Sequence, residues 1–293
     1  MNLNSFQNFI NRIILVALLA SLGYWAAKPT LRWIDIHVFN ETLKDQVGAL
    51  YYAEDWSGLA PLPLSLDYSW LQNASRPVLI AHALGEAVQV DQNSLAAQQR
   101  ALLGGLRLLE VDVWLDEAKR LRCHHGPDLP MAPVEGDCSL KSAVHAAAAR
   151  DAWLVIDIKT DFKLTGEAIV QQFRNDPNAS RLIFQLYRPA DIRLFSLWAP
   201  VLNLPGPIVT VYRAHRSLPH IASQLSRIGI KALTYPIYRG AALSDSPVLQ
   251  GLTRFVHPVH DCIALEEAKR QKVDGYYLLT LMAPRVHGDC EKP

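Results

Sequence analysis

The sequence predicts an α/β protein whose body is a (β/α)8 TIM barrel, preceded by an apolar N-terminal helix. Two observations carry that expectation. From Arg76 onward eight short apolar runs alternate with helix-like stretches: PVLIAH (77–82), LRLLEVDVWL (106–115), AWLVIDIK (152–159), RLIFQLY (181–187), IVTVYR (208–213), IKALTYPIY (230–238), RFVHPVH (254–260) and VDGYYLL (273–279). Near-continuous apolar strands separated by helices are what a parallel sheet covered on its faces requires. Polar residues also gather where these runs end, with His82, Asp157, Lys159, Tyr212, His257 and His260 among them. In a barrel that C-terminal rim is where chemistry is built. A doubly wound open sheet is the competing architecture, but no GxGxxG or Walker loop follows any of the runs.

The helical candidates are SLAAQQRALLG, SLKSAVHAAAAR, GEAIVQQFRN, ADIRLFSLWA, SLPHIASQLSRIG and CIALEEAKRQK. The chain divides into residues 1–28, 29–75 and 76–293. The first segment holds IILVALLASLGYWAA between Arg12 and Lys28, and counting from Phe9 extends it to Ala27. That stretch approaches the ~20 residues of a membrane span if Arg12 snorkels to the interface. No good A-x-A cleavage site follows, so an uncleaved anchor is expected over a cleaved signal. A short anchor ahead of a large domain predicts membrane association through residues 9–27 with the barrel outside the cytoplasm. Residues 29–75 read as a connector with a possible helix over Asn40–Tyr52 and a Pro-rich stretch at 60–64. Residues 76–293 are the barrel.

Composition excludes several classes. Of 293 residues 50% are hydrophobic and 19% charged, which allows a large core and argues against global disorder. With 29 Lys plus Arg against 28 Asp plus Glu, a nucleic-acid binder working by charge alone is excluded. The four cysteines, Cys123, Cys138, Cys262 and Cys290, form no CxxC pair, so a zinc knuckle is not expected. A Cys123–Cys138 disulfide fits an exported chain and four free thiols fit a reducing compartment.

The chemistry concentrates in LEVDVWL. Side chains alternate along a strand, so Glu110 and Asp112 share one face while Leu109, Val111 and Val113 share the other. Two carboxylates inside an apolar strand repel one another and are costly to bury. A divalent cation such as Mg²⁺ or Ca²⁺, which takes oxygen ligands, resolves that cost; a pair of surface carboxylates on an edge strand is the plainer reading. IDIKT repeats the pattern, with Asp157 able to complete a metal site and Lys159 able to meet a phosphate oxygen. His82, and His125 with its neighbour His124, are the acid–base candidates. His257 and His260 face the same rim and are read as structural or head-group contacts.

Taken together these residues resemble the glycerophosphodiester phosphodiesterase family, within the wider phospholipase C-like phosphodiesterase barrels, over about residues 77–282. That family's pattern is HRG at a strand end, a PENT-like segment, then E-x-D and a downstream H-D or H-G. This chain reads IAHALG, DQNSLAA and LLEVDVWLDEAKRLRCHHGPD, and His125 lies thirteen positions after Asp112, the family's gap. The later IDIKT looks like the family's E-x-K strand, and the D-x-K form is that of sphingomyelinase D-like phospholipases.

The resemblance implies a metal-dependent phosphodiester hydrolase acting on glycerophosphodiesters or (lyso)phospholipid head groups. It implies His82 and His125 as the general acid–base pair with Lys159 beside them, and Glu110, Asp112 and Asp157 as the metal ligands. Three positions depart from the pattern. Ala83 stands where the HRG arginine would be, Gln92 where the PENT glutamate would be, and Asp116-Glu117-Ala118-Lys119 where a T-x-D-G turn is usual. These departures support a second expectation, a catalytically degenerate membrane-tethered barrel that binds a phosphorylated ligand or a protein partner. A different metal-dependent barrel enzyme, an aldolase or amidohydrolase, is the third; the latter expects an HxH that LIAHALG lacks.

Overall fold

The computed structural model describes residues 58–62, 66–72, 76–85, 92–126, 138–211, 218–237, 249, 251–279, 283 and 286, together with Gly23. Each of the eight apolar runs contains a strand. They are β1 (Val78–Ala81), β2 (Leu108–Leu115), β4 (Trp153–Ile158), β5 (Leu182–Leu186), β6 (Ile208–Thr210), β7 (Ala232–Pro236), β8 (Thr253–Val259) and β9 (Gly275–Leu278). These pair in parallel in the order β1-β9-β8-β7-β6-β5-β4-β2, and β1 pairs with β2 to close the barrel. A ninth strand, β3 (Leu121–Cys123), runs antiparallel to the end of β2 outside the closed ring. No apolar run of the sequence marks a separate strand there.

The helical stretches also fold as expected: α2 (Leu95–Leu103), α3 (Leu140–Ala148), α4 (Phe162–Phe173), α5 (Pro189–Leu202), α6 (Leu218–Arg227) and α7 (Cys262–Arg270), after a short α1 (Ser69–Gln72). Their starts carry the expected caps. Ser94, Ser139, Asp161 and Asp261 accept the amide N–H of Ala97, Ser142, Leu164 and Ala264, each satisfying a donor the first turn leaves open. α4 and α5 meet through Gly166, where a Cβ would overlap the Trp198 ring.

Alternation sorts the strand side chains into two cores. Leu109, Val111, Val113, Leu154 and Ile156 face outward into the helix layer. Val78, Ile80, Leu108, Val155, Ile183, Ile208, Ala232 and Phe255 fill the lower barrel interior. The end of the connector closes that interior: Tyr68, Trp70 and Leu71 join the same cluster. Trp70 Nε1 donates to the Gly206 carbonyl at 3.1 Å and the Gly206 N–H donates to the Asp67 carbonyl at 2.6 Å. Tyr68 and Trp70 bury large rings and place their polar atoms on backbone, as buried aromatics of that kind require. The possible helix over 40–52 lies outside the described residues. So does the apolar segment 9–27 except for Gly23. Among the described residues no helix is long and apolar enough to cross a membrane.

Cys123 and Cys138 are joined by a disulfide that closes a 15-residue separation, and Cys262 is disulfide-bonded as well. Closing a loop of that size restricts the unfolded chain by about 3 kcal/mol. Cys123→Ser/Cys138→Ser is therefore expected to lower stability by about 2–4 kcal/mol. A denaturant titration of the double variant against the parent checks this.

Candidate active site

The inward parity that fills the barrel floor continues upward with polar residues. On β2 it passes from Leu108 to Glu110 and Asp112, and on β4 from Val155 to Asp157 and then Lys159. The β2–β4 register sets Asp112 directly opposite Asp157, so two carboxylates are cross-strand neighbours on one face. Glu110, Asp112 and Asp157 are all buried, and one oxygen of each lies within 4.8 Å of the others. Lys159 Nζ bridges the two aspartates, 2.8 Å from Asp112 Oδ1 and 2.6 Å from Asp157 Oδ2.

Neighbours hold each carboxylate in place. Glu110 Oε2 accepts the Ala83 N–H at 2.7 Å. Asp112 Oδ2 accepts the Asn93 side-chain amide at 2.8 Å, while Asn93 Oδ1 accepts the Asp112 N–H at 2.9 Å. Asn93 has φ 55°, and its own N–H donates to the Ala83 carbonyl at 2.8 Å. It thus ties β2 to the turn after His82. Asp157 accepts from the Tyr187 phenol. That phenol accepts from Gln185 Nε2 at 2.6 Å, and Gln185 Oε1 accepts from the Tyr277 hydroxyl at 3.0 Å.

Charge is unevenly distributed. Burial, then the Asp112 charge, pushes the Glu110 carboxyl up to about 8, with His82 and Lys159 pulling the other way. Burial also raises Asp157, with Lys159 opposing and Asp112 adding to it. Asp112 is likewise penalised by burial, yet Lys159, His82 and Asn93 outweigh that and hold it below the usual carboxylate range. Burial disfavours the Lys159 ammonium, but Asp157, Asp112 and Glu110 more than compensate and keep it charged.

Three buried carboxylates with one ammonium leave an excess of negative charge that proton uptake must balance. Asp112 Oδ1 is buried against the Lys159 ammonium at 2.8 Å, and that single cation faces three carboxylates. A hard cation with oxygen ligands fits this donor set.

His82 closes β1 in a half-buried turn beside the cluster, close enough to act electrostatically on both Glu110 and Asp112. His125 is exposed beyond the end of β3, and His124 is half-buried with its Nδ1 accepting the Gly126 N–H at 3.1 Å. His257 sits under the rim, 3.2 Å from Thr234 Oγ1 and edge-on to Tyr277. Burial first, then His82, Lys159 and His260, lower His257 to about 3, so it is uncharged at neutral pH. His260 is exposed, and its ring centroid lies 5.8 Å from that of His82.

Asn93, Tyr187 and Tyr277 are not among the residues that the sequence motifs single out. Tyr187 was within reach of the strand pattern, since positions 183, 185 and 187 share parity. Tyr212 lies outside the described residues. Gln92 is half-buried, next to Asn93.

No protein-family model matches the chain, and no curated protein matches it. Solved structures do. A glycerophosphodiester phosphodiesterase from Parabacteroides distasonis superposes with a TM-score of 0.57 at 18% identity, over 71% of this chain and 96% of that one. One from Thermotoga maritima gives 0.54 at 17% identity, over 71% and 97%. This chain has the fold of the glycerophosphodiester phosphodiesterases. A phosphodiesterase from Oleispira antarctica, solved with the product sn-glycerol-3-phosphate, gives 0.55 at 16% identity, over 70% and 94%. The shared part leaves over a quarter of this chain without a counterpart.

Proposed function

We propose that the protein is a metal-dependent phosphodiester hydrolase acting on glycerophosphodiesters or the head groups of (lyso)phospholipids. The observation that carries this reading is the buried Glu110–Asp112–Asp157 cluster, with Lys159 and His82 against it, at the C-terminal mouth of the barrel. A solved phosphodiesterase of the same fold holds sn-glycerol-3-phosphate.

In this reading Glu110, Asp112 and Asp157 would hold Mg²⁺ or Ca²⁺. A divalent cation there would supply Lewis-acid charge for a phosphoester. Lys159, charged and already at the cluster, shares the negative charge that grows on the phosphoryl group. One of His82 and His125 takes the proton from the nucleophile, a water or a neighbouring substrate hydroxyl. The other returns a proton to the leaving alkoxide as the P–O bond breaks, since in-line displacement needs base and acid on opposite sides of phosphorus. A hydroxyl nucleophile gives a cyclic phosphate and the free alcohol, whereas water gives the phosphomonoester and the alcohol. Asn93 and the Tyr277–Gln185–Tyr187 chain hold the carboxylates in register and take no proton in the reaction.

The disulfide-bonded Cys123, Cys138 and Cys262 support an oxidising compartment. We place the barrel on the extracytoplasmic side, tethered through residues 9–27. The second reading, a barrel that binds a phosphorylated ligand without turnover, is favoured by the small Ala83 and by the neutral Gln92.

Turnover of glycerophosphocholine, glycerophosphoinositol and lysophosphatidylcholine, with Mg²⁺ or Ca²⁺ and then with chelator, separates the two. Metal-dependent release of a phosphomonoester or cyclic phosphate supports the enzyme. A folded protein that binds phosphoesters and never turns them over supports the binding module.

A further inference from the structure

The turn that follows His82 carries no polar side chain for a substrate phosphate. Ala83, Leu84 and Gly85 take successive positive φ values of 46°, 61° and 91°, and the Gly85 N–H closes onto the His82 carbonyl at 2.7 Å. Ala83 and Leu84 are buried, and the Ala83 N–H is given to Glu110. Lys159 lies on the β2–β4 side of the mouth, in its two ion pairs.

On the opposite side, β9 and then β8 lie next to β1. Simple alternation along β8 would send His260 outward if His257 points inward. The structure departs from alternation there. Phe255 lies in the inner core, Val256 and Val259 both lie in the outer one, and the β8–β9 register shifts between Val256 and Val259. One extra residue resets the parity, and His260 returns to the mouth beside His82, with ring centroids 5.8 Å apart and planes at 54°. His257 beneath it cannot supply charge, because burial holds it neutral.

We propose that His260, beside His82 at the mouth, contacts a non-bridging oxygen of the substrate phosphate from the side where the turn carries only Ala83. With its ring centroid 5.8 Å from that of His82, the His260 ring lies within reach of a phosphate that is bound next to His82. The role rests on the phosphodiesterase reading for its ligand and adds to it a residue that binds rather than breaks the ester. An imidazole N–H here does what a guanidinium would do elsewhere, as a weaker and single-pronged donor.

The test uses the full chain with Mg²⁺ or Ca²⁺ present. Binding of sn-glycerol-3-phosphate is measured by calorimetry, and kcat and KM for glycerophosphocholine are measured alongside. His260→Ala is expected to weaken sn-glycerol-3-phosphate about 10-fold or more, to raise KM by a similar factor and to change kcat little. His260→Arg is expected to recover most of the binding, and His260→Gln only part. Melting curves confirm that the variants fold, as an exposed side chain should allow.

Unchanged binding and KM in His260→Ala overturns the proposal, as does a loss in kcat alone. A parent protein that binds sn-glycerol-3-phosphate without turnover sinks the hydrolase reading, while the comparison with His260→Ala still decides this one. A parent that binds no phosphoester overturns both.

Discussion

His82→Ala is expected to lower kcat by about 10³-fold, at the middle of the range for removing a general acid or base. Of the two imidazoles proposed for that pair, His82 stands against the carboxylates, where its charge bears on both Glu110 and Asp112. The variant should fold, because His82 is half-buried and the bonds that hold the turn do not use its side chain: the Gly85 N–H donates to the His82 carbonyl, the Asn93 N–H to the Ala83 carbonyl, and the Ala83 N–H to the Glu110 carboxylate. The measurement is single-substrate kinetics with a melting curve. A folded His82→Ala that keeps a tenth of the parent's kcat would sink acid–base catalysis by this residue. His125→Ala makes the useful comparison. His125 is exposed at the end of the β2–β3 hairpin, so its loss should cost turnover without touching stability or metal binding, while retained activity would remove it from the proposed pair.

Much of this architecture was legible because buried parallel strands announce themselves. With both faces covered, β2, β4 and β5 are apolar on both parities, and charged residues within such runs stand out. Period-two alternation then brought Glu110 to the side of Asp112, and Asp157 to the side of Lys159. The opposition of Asp112 and Asp157 across two strands depends on register, which no single segment contains.

What stayed hidden has similar causes. β3 is only three residues long and is defined by its pairing with β2. Asn93 matters through a positive-φ turn that folds it back onto Asp112. The Tyr277–Gln185–Tyr187 chain joins β5 and β9, far apart in sequence. The orientation of His260 comes from an irregularity in β8 that alternation cannot foresee. The connector showed no periodic signal at 66–72, yet Tyr68, Trp70 and Leu71 floor the barrel.

Glu110→Gln should separate stability from function in one substitution. Glu110 is 2% exposed and its carboxyl is pushed up to about 8 by burial and by Asp112. In the unfolded chain it ionises near pH 4.5. Between those values the folded state holds a proton that the unfolded state has lost. Linkage then fixes the sign: the stabilising contribution is complete below about pH 4.5 and drains away as pH rises to about 8. Glutamine keeps the acceptor for the Ala83 N–H and never ionises. With chelator present the variant should therefore melt higher than the parent at pH 8, and the gap should close toward pH 5. Divalent cation should reverse the order, raising the parent's melting temperature and barely moving the variant's, since anything that binds only the folded state stabilises it by mass action. Turnover should fall with the lost ligand. A gap that is the same at every pH would show that the buried carboxylate is not strained by ionisation. A metal-induced shift as large in the variant as in the parent would take Glu110 out of the proposed metal site.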